Sequence, residues 1–222
     1  MSEVTSRHGA TGTSERLIVP LNASETKDAA ALLARAFGSD PTFIYAFPDE
    51  VHRQKALCWL FERLVRCTIN SGQVLTTASR AGVALWLGPE RHSLSPWGLL
   101  RAGFGAFPLA CGWSAFARFL RLAEQTRRLH ARAVRGPHWY LFALGVRPSC
   151  QRQGIGKALL NYLLAQADAS LLPCYLDTAN PANLPYYAPY GFEVIGERQV
   201  ATREETLTFW GMLRRPRRDG PQ

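Results

Sequence analysis

The amino-acid sequence predicts an α/β sandwich with a mixed sheet. Helix-like and strand-like segments alternate along its 222 residues, which is the pattern of a layered α/β domain. The run HWYLFALGV, residues 138–146, is apolar at nearly every position, as expected of a strand that is buried on both faces. A chain of this length can bury one sizeable core. We therefore expect a single domain over residues 17–214.

A short strand and a helix open this domain. The run RLIVPL, residues 16–21, is typical of a strand. Ser24 is expected to cap the next helix, because a serine side chain can accept a hydrogen bond from the first helical turn. The apolar face of that helix carries Ala30, Leu33, Ala34 and Phe37. The stretch DPTFIYAFPDE, residues 40–50, is predicted to break the chain after it.

A second helix and a β-hairpin follow. Residues 52–69, HRQKALCWLFERLVRCTI, repeat apolar side chains with helical spacing and end before Ser71 and Gly72. The apolar stripe of this helix contains Leu57, Leu60, Phe61, Leu64 and Val65. The hairpin is predicted in QVLTTASRAGVALWLG, where turn residues from Arg80 to Gly82 separate two β-rich runs.

A helical insertion, residues 89–137, is expected between the hairpin and the buried strand. Its segment AGFGAFPLACGWSAFA, residues 102–117, has no charge, but it is too short to span a bilayer and contains three glycines and a proline. We expect short packed helices there, followed by an amphipathic helix at FARFLRLAEQTRRLHARA, residues 116–133. The insertion is suited to form a wall or lid of an apolar substrate pocket.

Five further elements complete the domain. After the buried strand, the sequence predicts a helix to about Ala169, then the strand CYLDTA and a short helix rich in Asn and Pro. A last pair of strands is expected around FEVIGERQV, residues 192–200, and TLTFWGML, residues 206–213.

The composition excludes several classes of protein. The five cysteines are scattered and never form a C-x-x-C pair, which argues against a disulfide framework and against a zinc site. We expect no metal and a reducing, cytoplasmic setting. Residues 1–16 are rich in Ser, Thr and Gly without an apolar core, so they predict a disordered lead-in rather than a signal peptide.

The formal net charge is +9, and the basic residues are spread along most of the chain. Their one dense cluster, RRPRRDG, runs from Arg214 to Gly220. Such a cluster can contact nucleic acid or a membrane surface. A short solvated end is the simpler interpretation, so residues 215–222 are predicted to be a disordered tail, with no nucleic acid or membrane as partner. The positive charge can instead steer a polyphosphate ligand towards its site.

The segment QRQGIGKALL, residues 151–160, places two glycines where a helix begins. The unpaired N–H groups and the partial positive charge of a helix N-terminus form an anion site. Gly154 and Gly156 would let a diphosphate lie on the backbone, with Arg152 and Lys157 at its rim. Close packing of the helix start against a strand is the alternative explanation for these glycines.

Two nucleotide-binding motifs are excluded by spacing. Gln151 stands where the Walker motif has its first glycine, and Ala158 replaces the hydroxyl residue that would hold the metal. The Rossmann fingerprint lacks its third glycine, because residue 159 is leucine. The loop therefore indicates an anion site of another kind.

Two segments together, LGVRPSCQRQGIGKALL and NPANLPYYAPYGFEVIG, resemble the GNAT superfamily of acetyl-CoA-dependent N-acetyltransferases. The run Q-x-x-G-x-G at residues 151–156 matches the pyrophosphate loop of that family. The run N-x-x-x-Y-x-x-x-G-F at residues 183–192 matches a second family segment. The likeness is strongest over residues 138–196, and its pattern is nearest to puromycin N-acetyltransferase-like members.

The resemblance implies a GNAT-type sandwich whose mixed, mostly antiparallel sheet splays at the central strand. It implies acetyl-CoA as co-substrate, with the pantetheine arm paired to the exposed end of that strand, where Gly145 suits a bulge. The backbone N–H near Val146 would polarise the acetyl carbonyl. The cofactor-binding residues that the resemblance implies are Leu144, Gly145, Val146, Gln151, Arg152, Gln153, Gly154, Ile155, Gly156, Lys157 and Asn183.

The same resemblance implies two catalytic residues. Tyr187 would protonate the departing thiolate, since a phenol with a pKa of about 10 is protonated at neutral pH. Tyr186 and Tyr190 are interpreted as packing residues. Asp177, at the end of CYLDT, is the base, a substrate ligand or a strand-end residue. Pro189 is expected to shorten the helix that carries Tyr187.

The sequence therefore predicts an N-acetyltransferase that acts directly on a primary amine of a small molecule, with antibiotic-like amines among the candidates. A module that binds or senses acyl-CoA without turnover and a protein N-acetyltransferase are the alternatives. His130 and His138 flank the pocket-forming insertion, and a surface or packing role is expected for each rather than catalysis. A monomer or a homodimer is expected.

Overall fold

The computed structural model describes residues 17–90, 96–201 and 206–217. In this part of the chain, seven strands form one sheet with the order β1-β2-β3-β4-β5-β7-β6. The strands are β1 (Ile18–Pro20), β2 (Gly72–Thr77), β3 (Gly82–Leu87), β4 (Trp139–Val146), β5 (Cys174–Thr178), β6 (Glu193–Ala201) and β7 (Thr206–Arg214). Neighbouring strands are antiparallel except β4 and β5, which are parallel. The predicted mixed sheet, including the hairpin β2–β3, is confirmed.

Helices cover both faces of this sheet. Those in the described residues are α1 (Thr26–Ala36), α2 (Pro41–Ala46), α3 (Glu50–Ile69), α4 (Pro96–Arg101), α5 (Phe107–Cys111), α6 (Trp113–Ala133), α7 (Ile155–Ala169) and α8 (Asn183–Tyr187). One core includes Leu33 of α1, Phe61 of α3 and Leu129 of α6. The other core joins α7 to the opposite face through Leu141 and Leu176. The central strands are therefore buried on both sides.

The central strands β4 and β5 separate part of the way along their length. They are paired in register from Trp139 and Cys174 to Leu141 and Leu176. Beyond that point β4 continues to Val146 without a partner in β5. The gap that opens here is the splay expected at the central strand.

An irregularity in β4 lies at Phe142. Leu85 of β3 pairs with Ala143, whereas Trp86 pairs with Leu141, so Phe142 is the extra residue of a bulge. The bulge expected at Gly145 is therefore wrong, and Gly145 pairs regularly in the β3–β4 ladder. A Cβ atom at Gly145 would lie 2.8 Å from Leu33 Cδ2. This glycine thus permits the close approach of α1 to the sheet.

The start of the domain corrects two further expectations. Ser24 is not the helix cap: the Asn22 side chain accepts from Ser24 N, and Glu25 accepts from Asn22 N, in a reciprocal capping box. Residues 40–50 do not simply break the chain, because they contain α2. Asp40 caps this helix through a 2.9 Å hydrogen bond from Thr42 N, and Pro41 occupies its first position.

The insertion forms the short packed helices that were expected. α4 and α5 precede the long helix α6, which packs against β6 and β7. Phe107 lies at the centre of the insertion, in ring contact with Trp59 of α3 and Phe119 of α6. None of the helices in the described ranges combines the length and apolar character that crossing a bilayer requires.

The sequence also predicts a disordered segment at each end of the chain. The predicted lead-in, residues 1–16, and most of the predicted tail, residues 218–222, lie outside the described residues. Arg214, the first residue of the basic cluster, belongs to β7 and is only 3% exposed. Its guanidinium pairs with Asp168 of α7, so it is a structural residue rather than part of a solvated tail.

Candidate active site

The glycine loop forms the N-terminal end of α7. Gly154 precedes the helix with a φ of +80°, in the left-handed region that glycine adopts without strain. Arg152 also has a positive φ of 61°. No side chain caps the helix at Gly154. The first N–H groups of α7 therefore remain available for an anion.

Side chains of the loop hold it against the end of β4. Gln151 Nε2 donates to Val146 O at 3.3 Å, and Gln153 Nε2 donates to Ser149 O at the same distance. A Cβ atom at Gly156 would lie 2.6 Å from the hydroxyl of Tyr186. Both explanations for the glycines are thus compatible with the structure, because Gly156 is packed closely and also leaves the helix end uncovered.

The backbone of β4 presents polar groups to the gap. Arg147 N donates to Ala81 O on the β3 side at 2.8 Å. Because successive residues of a strand direct their N–H groups to opposite edges, the N–H groups of Val146 and Leu144 point towards the gap. Gly145 directs its backbone to β3 instead. Val146 N–H is therefore placed to donate to a carbonyl oxygen bound there.

Tyr187 lies beside the gap on the α7 side of the sheet. It is 8% exposed and packs edge to face on Phe192. Burial raises the pKa of its phenol well above the usual value, and the charges of Tyr186, Asp40 and Tyr190 raise it further. The hydroxyl is therefore protonated at neutral pH and can act as a donor.

The segment around Tyr187 is bent as expected from Pro189. α8 ends at Tyr187, and a 3₁₀ turn follows from Ala188 to Tyr190. Asn183 Nδ2 donates to Thr178 Oγ1 at 2.9 Å, which joins the start of α8 to the end of β5. Asn183 therefore positions the tyrosine segment relative to the gap.

Asp177 lies on the opposite face of the sheet from Tyr187. Its neighbour Leu176 belongs to the core under α7, so the half-buried Asp177 side chain points to the α6 side. Tyr140 Oη donates to both carboxylate oxygens, at 2.9 Å to Oδ2 and 3.1 Å to Oδ1. Burial raises the pKa of Asp177 to about 6, although the hydrogen bond from Tyr140 lowers it. A carboxyl with this pKa can accept a proton near neutral pH.

An aromatic cluster from the insertion and the sheet surrounds the hydrogen-bonded pair of Tyr140 and Asp177. The His130 ring of α6 stacks on Tyr175 with 4.3 Å between centroids and lies 4.7 Å from the Tyr140 ring. His130 Nε2 and His138 Nε2 are 2.7 Å apart, and His138 Nδ1 donates to Gly136 O. The two histidines pack together behind Tyr140, and the insertion forms a wall on the Asp177 side.

Two polar residues of the site were not found from the sequence. Tyr140 lies in the apolar run that predicts β4, where nothing in the pattern distinguishes it from the neighbouring residues. Asp40 lies near Tyr187, whose pKa its charge raises. Burial raises the pKa of Asp40 itself, against hydrogen bonds from Thr42. The sequence signal for Asp40 was the pair Asp40-Pro41, which marks a helix start.

The rest of the described chain offers no competing centre. Across residues 17–90, 96–201 and 206–217, no three His, Cys, Asp or Glu side chains are grouped to hold a metal ion. A groove lined by Val134, Pro173 and Leu213 lies at the other end of the sheet, where β4 and β5 begin. The gap between β4 and β5 is therefore the site at which the polar groups converge.

Comparisons with known proteins show what the sequence of this chain is similar to. The model of the acetyltransferase (GNAT) family matches residues 110–192. An uncharacterized N-acetyltransferase of Schizosaccharomyces pombe is 29% identical over 202 residues, which cover 88% of this chain and 82% of the relative. The matched family region contains the glycine loop, Asp177 and Tyr187.

Solved structures share the architecture. A structure from Corynebacterium glutamicum, described as histone acetyltransferase HPA2 and related acetyltransferase, is 22% identical with a TM-score of 0.62, over 91% of this chain and 97% of that chain. Arylalkylamine N-acetyltransferase 2 from Aedes aegypti is 15% identical with a TM-score of 0.57, over 89% of this chain and 97% of that chain. At these identities the likeness shows the fold, and it confirms the predicted GNAT-type sandwich. Over residues 110–192 the chain is thus similar to the GNAT family, and over most of its length it is similar to an N-acetyltransferase.

Proposed function

We propose that this N-acetyltransferase transfers the acetyl group of acetyl-CoA directly to a primary amine of a small molecule. The observation that carries the proposal is the position of Asp177, a half-buried carboxylate under an aromatic wall contributed partly by α6. A slender amine can reach such a carboxylate, whereas a folded protein surface cannot. The resemblance to puromycin N-acetyltransferase-like members makes antibiotic-like amines a first choice for testing.

The residues of the gap fit the co-substrate that the family implies. Acetyl-CoA supplies a diphosphate and an acetyl thioester when bound. Gly154 and Gly156 leave the N-terminal end of α7 open for the diphosphate, and Arg152 and Lys157 add positive charge beside it. Val146 N–H points into the gap, where it can donate to the acetyl oxygen.

Two side chains move protons in the proposed reaction. Asp177 accepts a proton from the amine nitrogen as the new C–N bond forms. Tyr187 Oη donates to the sulfur as the C–S bond breaks, which favours departure of the thiol. Their places on opposite faces of the sheet keep the two proton transfers apart, so that each group can act on one of the two bonds.

The proposal is tested by incubating the purified protein with acetyl-CoA and a panel of primary amines and short peptides. Free thiol is measured with and without each acceptor, and acetyl-CoA binding is measured by calorimetry. We expect thiol release that depends on one class of small amine. Transfer to peptides alone would favour a protein N-acetyltransferase. Binding of acetyl-CoA without transfer to any acceptor would favour a sensing module.

A further inference from the structure

A side chain crosses between β4 and β5 at the point where their ladder ends. Leu141 and Leu176 form the last backbone pair, so Asp177 is the first residue of β5 without a neighbour in β4. Tyr140, one residue before Leu141, reaches across to both oxygens of this carboxylate. The hydrogen bond continues the connection between the strands where backbone pairing stops.

Three aromatic rings fix the position of the Tyr140 ring. It lies 5.6 Å from Phe142, 5.5 Å from Tyr175 of β5 and 4.7 Å from His130 of α6, measured between ring centroids. Burial, with the nearby Asp177 and Tyr175, raises the pKa of the Tyr140 phenol well above its ordinary value. The hydroxyl is therefore a permanent donor in a fixed position.

We propose that Tyr140 is the positioning residue for Asp177, which it holds at the edge of the gap as the group that takes the amine proton. The inference rests on the proposed function, since it assigns Asp177 the role of base. Tyr140 itself transfers no proton. It orients the carboxylate and stabilises its charged form.

This role has a defined effect on the titration of Asp177. The ionisable groups around the pair are Tyr175 of β5 and His130 of α6, which contact the Tyr140 ring, and His138 before β4, which contacts both of them. A hydrogen bond to the carboxylate stabilises the charged form, so its removal raises the pKa of Asp177. Because the base must be ionised, the acidic limb of the pH–rate profile should then move to higher pH.

The test compares Tyr140→Phe with Tyr175→Phe. Both keep the ring, but only the first removes a hydrogen bond to Asp177. Within the described residues, the Tyr175 hydroxyl is buried without a hydrogen-bond partner, so its loss should not weaken the fold. For Tyr140→Phe we expect an acidic limb of kcat/KM about one pH unit higher, as the loss of one hydrogen bond to a charge predicts. Tyr175→Phe should keep the wild-type profile.

A second readout does not depend on turnover. The carboxyl ¹³C shift of Asp177 is followed against pH in both variants, with the melting temperature as a check on folding. If Tyr140→Phe melts early, its titration is recorded at a lower temperature at which the variant is folded. An unchanged titration in a folded Tyr140 variant overturns the positioning role. If the wild type acetylates no amine but the titration still moves only in Tyr140 variants, the proposed function fails and the effect of Tyr140 on the carboxylate stands.

Discussion

The Tyr186 hydroxyl occupies the space next to Gly156 that a side chain would need, 2.6 Å from where a Cβ atom would stand. Gly156 is in the first turn of the helix that presents its N–H groups to the proposed diphosphate. Gly156→Ala should therefore weaken acetyl-CoA binding by about tenfold or more, a loss on the scale of one or two hydrogen bonds. Isothermal titration measures this change.

Two further variants show how the substitution acts. Gly105→Ala is the matched control, because its Cβ would make an ordinary 3.5 Å contact with Leu100 Cδ1 far from the loop. Adding Tyr186→Phe to Gly156→Ala removes the oxygen that the new methyl group meets. Recovery of affinity in the double variant would mean that Gly156 only accommodates Tyr186. If the double variant still binds acetyl-CoA weakly, the new methyl group interferes with the diphosphate itself.

Tyr187→Phe keeps the buried ring and its contact with Phe192 but deletes the proton. We expect kcat to fall by roughly 10²-fold, the usual scale of general acid catalysis, with little change in acetyl-CoA affinity. Tyr186→Phe is the control and should stay near wild type. Equal activity of the two variants would contradict the role of Tyr187 as the general acid. A loss confined to Tyr186→Phe would assign that role to Tyr186.

Asp177→Asn should reduce activity and increase stability at the same time. The folded-state pKa of about 6 lies above the ordinary aspartate value of 3.8, so the folded protein binds this proton more tightly than the unfolded chain. Stability from this group is present at low pH and is lost as the pH rises towards about 6 and beyond. At pH 8 the asparagine variant should melt a few degrees higher, by roughly 2–6 °C, since it carries no buried charge. Near pH 4 the two melting temperatures should converge.

The activity of the wild type provides a second check on Asp177. If the carboxylate is the base, kcat/KM should fall as the pH drops through about 6. Asp177→Asn should remove this limb together with most of the activity. If the asparagine variant keeps the same acidic limb in its profile of kcat/KM against pH, the limb reports the titration of another group, such as Asp40.

Arg214 stabilises the junction of three elements. Its two terminal nitrogens donate to the Asp168 carboxylate at 2.7 and 2.6 Å, and its Nε donates to Tyr190 O at 2.9 Å. Arg214→Ala should cost about 2–4 kcal/mol of unfolding free energy, near the cost of breaking a buried pair. The expected fall in melting temperature is about 5–15 °C.

Arg217→Ala is the matched control for Arg214, because Arg217 bonds Asp168 through its backbone N–H, which alanine retains. Its melting temperature should be close to that of the wild type. Equal destabilisation of the two variants would show that charge near Asp168, rather than the two-pronged hydrogen bond of Arg214, stabilises the junction.

Much of the fold follows from periodicity. The stripe from Leu57 to Val65 has helical spacing, and the structure forms α3 with those side chains buried. The β2–β3 hairpin was predicted by the turn residues before Gly82. Periodicity does not predict α2, because a six-residue helix is too short to show it, and its start signal, Asp40-Pro41, is also typical of a chain break.

Fewer residues of the site than of the fold could be predicted from patterns in the sequence. Glycine spacing marked the loop at residues 151–156, since the pattern is local in the sequence. Tyr140 could not be found in this way, because a strand buried on both faces carries no alternation that says which face each residue takes. Its partner Asp177 is distant in the sequence, and only the parallel pairing of β4 with β5 brings the two together.

The bulge at Phe142 determines which backbone groups of β4 face the gap. Trp139 N donates to Pro173 O on the β5 side, whereas Arg147 N donates to Ala81 O on the β3 side. These residues are an even number apart, so an uninterrupted strand would direct both N–H groups to the same edge. Because of the extra residue, the N–H groups of odd-numbered residues face β5 at the start of β4 and face β3 at its end. We call this alternation of N–H direction the phase of the strand.

The phase of β4 is what gives the gap the N–H of Val146 instead of that of Gly145. A deletion of one residue at position 142 would remove the bulge and leave Trp139 and Arg147 an odd number of residues apart, so an uninterrupted strand would still direct the Val146 amide to the gap, where hydrogen exchange would find it unprotected. Phe142→Leu keeps the residue count and should leave that amide exchanging as in the wild type. The bulge thus matters to the proposed oxyanion donor because it accommodates one extra residue without turning the Val146 amide away from the gap, and the identity of the residue that it contains does not.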